Sequence, residues 1–124
     1  MKNLMIGAIT FALIAVAPAV WANKASATSQ VSEARAMVRS AERSGADSLA
    51  TIELKRARDL LNSAQISLDA RKWDDAEYAA KKSQRDAEVA DAKAQALKAE
   101  AAQAELQIVV DTLRSELKRM GENL

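Results

Sequence analysis

Residues 74–104 read DDAEYAAKKSQRDAEVADAKAQALKAEAAQA, and this stretch decides the fold. It holds no proline and no glycine. Ala76, Ala80, Ser83, Ala87, Ala90, Ala94, Leu97, Ala101 and Ala104 recur at steps of four and three, which places them on one face of an α-helix. Small side chains on that face let neighbouring helices approach closely. The pattern predicts one long helix from about Asp74 to Met120, reaching ~70 Å at 1.5 Å per residue.

Two shorter helices precede it. Val31, Ala34, Val38 and Ala41 mark the apolar face of a helix over about 29–44. Gly45 is a natural left-handed stop just past its end. Asp47, Ser48 and Thr51 are candidate N-caps for the next helix. That helix covers about 49–71, with a heptad-like stripe of Leu54, Ala57, Leu61, Ala64 and Leu68 that Ile52 and Leu60 widen. The rhythm breaks over 70–75. Asp74 is a candidate cap, and Asp74-Asp75 suits the positive end of a helix dipole. Trp73, with Tyr78 nearby, reads as a plug at the hairpin end. The predicted fold is all-α: an antiparallel three-helix bundle or hairpin with a long, coiled-coil-like C-terminal helix, preceded by a signal-peptide helix. Alanine buries far less than leucine, which gains about 1.5–3 kcal/mol when fully buried. A marginally stable bundle is expected, with Trp73, Leu61 and Leu68 among its few anchors.

Met1 to Ala22 has the three-part layout of a secretory signal. Lys2 gives the positive start, Leu4 to Ala17 is almost unbroken apolar sequence, and Ala19-Val20-Trp21-Ala22 follows Pro18 with small residues at the −3 and −1 positions. Cleavage is expected after Ala22, with Ala25-Ser26-Ala27 as a second candidate. The apolar run falls short of the ~20 residues of a membrane span, which favours cleavage over retention as an anchor. No cysteine follows either cut, so a lipid anchor is not expected. The expected organisation is a signal peptide over 1–22, a polar linker over 23–29, an alanine-rich helical domain over 30–120 and a short tail over 121–124. Within that domain, about 100–120 form a projecting tip. The expected location is the periplasm of a Gram-negative envelope, with peripheral membrane association as a rival.

Composition narrows the chemistry. The chain has no cysteine and no histidine, which removes disulfides, the commonest metal ligand and the commonest general base. A net charge of +1 gives no electrostatic case for nucleic acid. The carboxylate pairs Asp74-Asp75, Glu100 with Glu105, and Glu116 with Glu122 read as solvated helix faces, because an acid–base pair needs a concave site. Glu77 and Lys81 are spaced as an ordinary surface ion pair. No catalytic residue, cofactor, metal site or small-molecule substrate is expected, and the protein is not expected to be an enzyme.

The last part of the long helix changes character. Leu106, Val110, Leu113, Leu117 and Met120 keep a four-three spacing, while extending the upstream stripe beyond Ile108 lands on Asp111 and Ser115. The apolar face therefore rotates. The two shorter helices cannot cover the whole of the third, so its end is expected to project with a bare seam. The expected partner is a protein helix, either a second copy or another envelope protein. A membrane surface is the rival, but Glu105, Asp111, Glu116 and Glu122 balance Lys118 and Arg119, whereas interfacial helices are richly basic. A third reading takes Trp73 and Tyr78 as platforms for a peptidoglycan or other wall polymer.

With the helices placed, four segments carry a resemblance. They are Ala41-Glu42-Arg43-Ser44-Gly45-Ala46, Glu53-Leu54-Lys55-Arg56-Ala57-Arg58-Asp59-Leu60-Leu61, Lys72-Trp73-Asp74-Asp75-Ala76-Glu77-Tyr78-Ala79, and Ala87 to Ala94. Together they resemble the bacterial domain-of-unknown-function family 4398, over about residues 30–100. The resemblance implies a short helical envelope protein, exported or lipid-anchored, and transfers no catalytic residue. Two positions depart from the pattern: Thr51 stands in place of a helix-starting proline, and Lys72-Trp73 in place of a glycine followed by an aromatic. A weaker resemblance, from Trp73 to Ala80, is to tetratricopeptide-type hairpins. A single hairpin falls short of the about three repeats a solenoid needs.

Overall fold

Alanine at every third or fourth position turns three helices into one close-packed unit. The structure, a computed structural model, describes residues 17–123. Expectations for 1–16 lie outside the described residues. Four helices follow in order: α1 (Ala17–Arg43), α2 (Ala46–Leu49), α3 (Thr51–Asp69) and α4 (Trp73–Glu122). No strand occurs among the described residues. α1 and α4 run parallel, and α3 runs antiparallel to both. The pairing of Ser26 with Glu77 and Ser44 with Asp91 sets the first direction, and that of Glu53 with Lys93 and Ala57 with Ser83 the second.

The core is a meeting of three small-residue stripes. Ala27, Val31, Ala34, Val38 and Ala41 come from α1, and Leu54, Ala57 and Ala64 from α3. The α4 stripe Ala76, Ala80, Ser83, Ala87, Ala90 and Ala94 is fully buried, as its spacing predicts. Of the fifteen buried apolar residues twelve are alanine, so stability rests on close backbone approach more than on side-chain bulk. α1 and α3 both pack closely on α4, and much less on each other. Leu61 and Leu68 fill that wider side, each only half-buried, and Ile52 points outward. Ser83 is the buried polar member of the stripe. Its hydroxyl donates to the Ala57 carbonyl at 2.7 Å and pins α4 to α3.

The ends of the helices depart from the sequence reading in three places. Residues 23–29, expected as a linker, are helical. Ala27 lies four residues before Val31 and continues its stripe into the core, while the polar residues around it occupy the outer face; the Ser26 hydroxyl donates to Glu77 at 2.9 Å. The second expected helix is broken at Ala50 (φ −139°, ψ 46°), which lets α2 fold across the end of the bundle and bury Ala46 and Ala50. No side chain caps α2, α3 or α4; Gly45, Ala50 and Lys72 occupy the cap positions. Ser48 and Thr51 instead donate backward, to the Gly45 and Asp47 carbonyls, a common alternative for hydroxyl side chains. Asp74 and Asp75 lie in the first turn of α4, where a negative charge is favoured.

Gly45 does stop α1 in the left-handed conformation (φ 84°), its N–H donating to the Glu42 carbonyl at 3.0 Å. The turn from α3 to α4 uses the same device on a costlier residue. Arg71 is left-handed (φ 60°), with Arg71 N–H on Leu68 at 3.0 Å and Lys72 N–H on Ser67 at 2.9 Å, the two bonds of a Schellman motif. The left-handed residue is thus one before the position at which the resemblance places a glycine.

Polar side chains clamp the outside. Arg58 on α3 donates twice to Glu42 on α1, at 2.9 and 2.7 Å, and once to Asp47 at 2.8 Å. Lys93 pairs with Glu53 at 2.8 Å, Ser44 donates to Asp91, and Lys81 pairs with Glu77 at 2.6 Å, as their spacing predicts. Hydrogen bonds from Lys93 to Glu53, from Lys81 and Ser26 to Glu77, and from Ser44 and Gln95 to Asp91 hold all three carboxylates below their ordinary values. A depressed carboxylate stabilises the fold above its ordinary pKa, and that contribution disappears as pH falls through the lower folded value. The melting temperature is expected to be level above about pH 5 and to decline below about 4.5. Circular-dichroism melts from pH 7 to pH 2 check this; a level profile throughout would show that the clamps do not act.

Candidate functional site

Every residue of α4 beyond Ala94 is exposed. The reason is local. α1 ends at Arg43 and α3 starts at Thr51, and both termini lie level with Asp91–Lys93. The Lys98 side chain reaches back, its end 3.2 Å from where a Cβ on Gly45 would stand. Residues 95–122 then run on alone for ~42 Å.

The expected seam lies on this free segment. Leu106, Val110, Leu113, Leu117 and Met120 range from 39% exposed at Val110 to 66% at Leu106. All are brought to one side of a single helix, and none contacts the bundle core. Ile108 and Val109 are exposed beside them and fall outside the four-three rhythm. The seam is offset by two residues from the line of the buried stripe. Two residues turn a helix by about 200°, and the four-three spacing drifts back by about 20° per heptad, so, some four heptads on from the middle of the buried stripe, the seam faces about 120° away from the bundle core. Charges of both signs flank it: Arg114 lies 3.6 Å from Asp111, with Glu116, Lys118, Arg119 and Glu122 exposed along the same helix.

The other candidates are less built. Asp74, Asp75, Glu100, Glu105, Glu116 and Glu122 are all exposed on helix surfaces. A cleft of about 360 Å³ between α1 and α3 is lined by Arg35, Arg39, Glu42, Arg58 and Leu61; Glu42 pairs with Arg58 and Arg35 donates to Gln65, so the cleft keeps a net positive lining. The Trp73 plug is not realised. Trp73 is half-buried and shares an open cleft of about 350 Å³ with Trp21, Lys24 and Arg71. Tyr78 is 66% exposed, with the Lys82 ammonium 5.2 Å from its ring centre. The left-handed turn at Arg71 starts α4 at Trp73, so the buried line begins at Ala76 and passes both aromatics by.

The family model for a domain of unknown function, DUF4398, matches residues 29–106, well over half of the chain. The chain belongs to the DUF4398 family. No curated protein and no solved structure matches it. The DUF4398 match takes in the bundle from the end of the once-expected linker and the first turns of the free helix. It stops at Leu106, where the seam starts. No helix among the described residues is long and apolar enough to cross a membrane.

Proposed function

We propose that this DUF4398 chain is an exported, non-catalytic structural or interaction protein of the cell envelope that works by helix–helix association. Leu106, Val110, Leu113, Leu117 and Met120 dock against a second copy or another helix. The observation that carries this reading is the apolar row on a free helix. It contributes nothing to the bundle, and each Å² removed from water gains about 25 cal/mol. Contiguous exposed apolar surface of this kind marks interaction sites. Mixed flanking charges favour a protein over a lipid surface.

Export rests on the layout of Met1–Ala22. Cleavage after Ala22 keeps the buried Ala27 and the Ser26–Glu77 hydrogen bond, whereas cleavage after Ala27 removes the turn that makes both contacts. The first site is therefore the one compatible with the whole bundle.

Association is tested on the exported form by light scattering over a concentration series. The expected result is a concentration-dependent species larger than a monomer that Leu113→Glu returns to monomer. Leu113 is 54% exposed and makes no core contact, so helicity stays unchanged. Association by Leu113→Glu equal to that of the parent would remove the seam from the mechanism.

A further inference from the structure

The outer face of α4 carries more than the seam at its end. Counted back from Leu106 in the same rhythm, the line passes Gln103, Ala99, Ala96, Ala92 and Val89, all exposed. Val89, Ala96, Gln103, Val110 and Leu117 take the a positions of one heptad register. Ala92, Ala99, Leu106, Leu113 and Met120 take its d positions. The register runs for more than the three to four heptads that specify a coiled coil. It overlaps the buried stripe over 89–94 on the opposite side of the same helix, so α4 is two-faced there.

We infer that this outer register is a homodimer interface in which two copies pair parallel and in register along Val89–Met120. The inference rests on the helix-association reading and narrows it to one occupant and one geometry. Three observations carry it. The first is Gln103, the one polar member of the line. An apolar partner or a lipid surface would bury its amide without a partner, which is costly. A parallel, in-register copy brings the partner's Gln103 to the same level, the arrangement by which a single polar a residue specifies register.

The second observation is charge. In the parallel dimer Glu88, at a g position, faces the partner's Lys93 at e, and the symmetric contact repeats it. Lys93 already holds Glu53, so the pairing joins two acids around one ammonium. The fully overlapped antiparallel dimer instead sets Lys93 against the partner's Arg114, which is repulsive. The third observation is size. The line is small where the bundle stands, at Ala92, Ala96 and Ala99, and large beyond it, from Leu106 onward. α1 and α3 lie on the far side of α4. Two bundles therefore come together back to back without obstruction, while the free ends zip with larger side chains.

The chain has no cysteine, so single cysteines report the geometry directly. The exported form is prepared with Ala92→Cys, Met120→Cys or, as a control on the face turned away, Ala101→Cys, and is oxidised. Parallel in-register pairing links the first two variants to themselves and leaves the control unlinked. Self-linking of Met120→Cys without Ala92→Cys would overturn the extended register while leaving the terminal seam in place. A parent dimer in which neither variant self-links would overturn the parallel arrangement. A parent that stays monomeric and instead binds anionic phospholipid vesicles, or a different protein, would overturn the homodimer; only the second of these retains the helix-association reading.

Discussion

Leu54→Ala is expected to cost about 2–5 kcal/mol, the usual range for a buried leucine. That is a large part of what a small domain has, since total stability is about 5–15 kcal/mol. Leu54 is the only large apolar side chain that is completely buried among the described residues. The other buried members of its cluster are Val38 and alanines, with the longer Met37, Leu49 and Leu61 only partly buried against it, so the space left behind is filled at best from the edge. For a domain of this size each 1 kcal/mol moves the melting temperature by about 4–8 °C, so a fall of at least ~8 °C is expected. Ile52→Ala, two residues away on the same helix but 70% exposed, is the matched control and should change stability by less than about 0.5 kcal/mol. Thermal melts of both variants decide the matter. Equal melting of Leu54→Ala and the parent would mean that α3 is not held through this side chain.

The second large effect runs against ordinary hydrophobic intuition. Ala87→Leu adds apolar bulk to a buried position and is nevertheless expected to destabilise, by about 1–3 kcal/mol or more. Ala87 lies on the line where α4 meets its neighbours, in one cluster with Val38, Ala41 and Leu54. The added carbons have no space to enter, so the helices must separate and every alanine contact along the stripe weakens with them. Ala101→Leu makes the same chemical change on the same helix beyond the bundle, where the residue is exposed, and is expected to be near neutral. Urea midpoints of the pair separate the two cases. A more stable Ala87→Leu would indicate that the helices are not in close contact at this level.

Both expectations depend on a pattern that was open to reading in advance. Six residues of the α4 stripe, from Ala76 to Ala94, are buried as their spacing requires, and Gly45 stops α1 as its residue type requires. These features are legible because helical periodicity and a left-handed glycine are local properties. The break at Ala50 is not local. An alanine carries no signal for a kink, and this one arises because α2 must turn across the bundle end to bury Ala46 and Ala50. The helix over 23–29 was hidden by its polar composition, which describes its outer face and not the single buried Ala27. Trp73 misled for the opposite reason. Size suggests burial, but the start of α4 is set by the Arg71 turn, and the aromatic falls off the buried line. Of the candidate site, the five larger side chains were apparent from sequence. The outer Val89–Ala99 part was masked by the alanines of the inner stripe, since two small-residue lines on one helix are told apart only once the packed face is known.

α4 crosses from bundle to free end as a single helix of 50 residues, without proline and with no glycine before Gly121. The compass bearing of the terminal seam is therefore locked to the bundle by residue count alone. Each residue inserted between Leu97 and Leu106 would swing that bearing by about 100° and lengthen the reach by ~1.5 Å. Seven together would restore the bearing to within about 20° and only extend the arm. The segment thus behaves as a vernier, in which length and direction are set by the same integer.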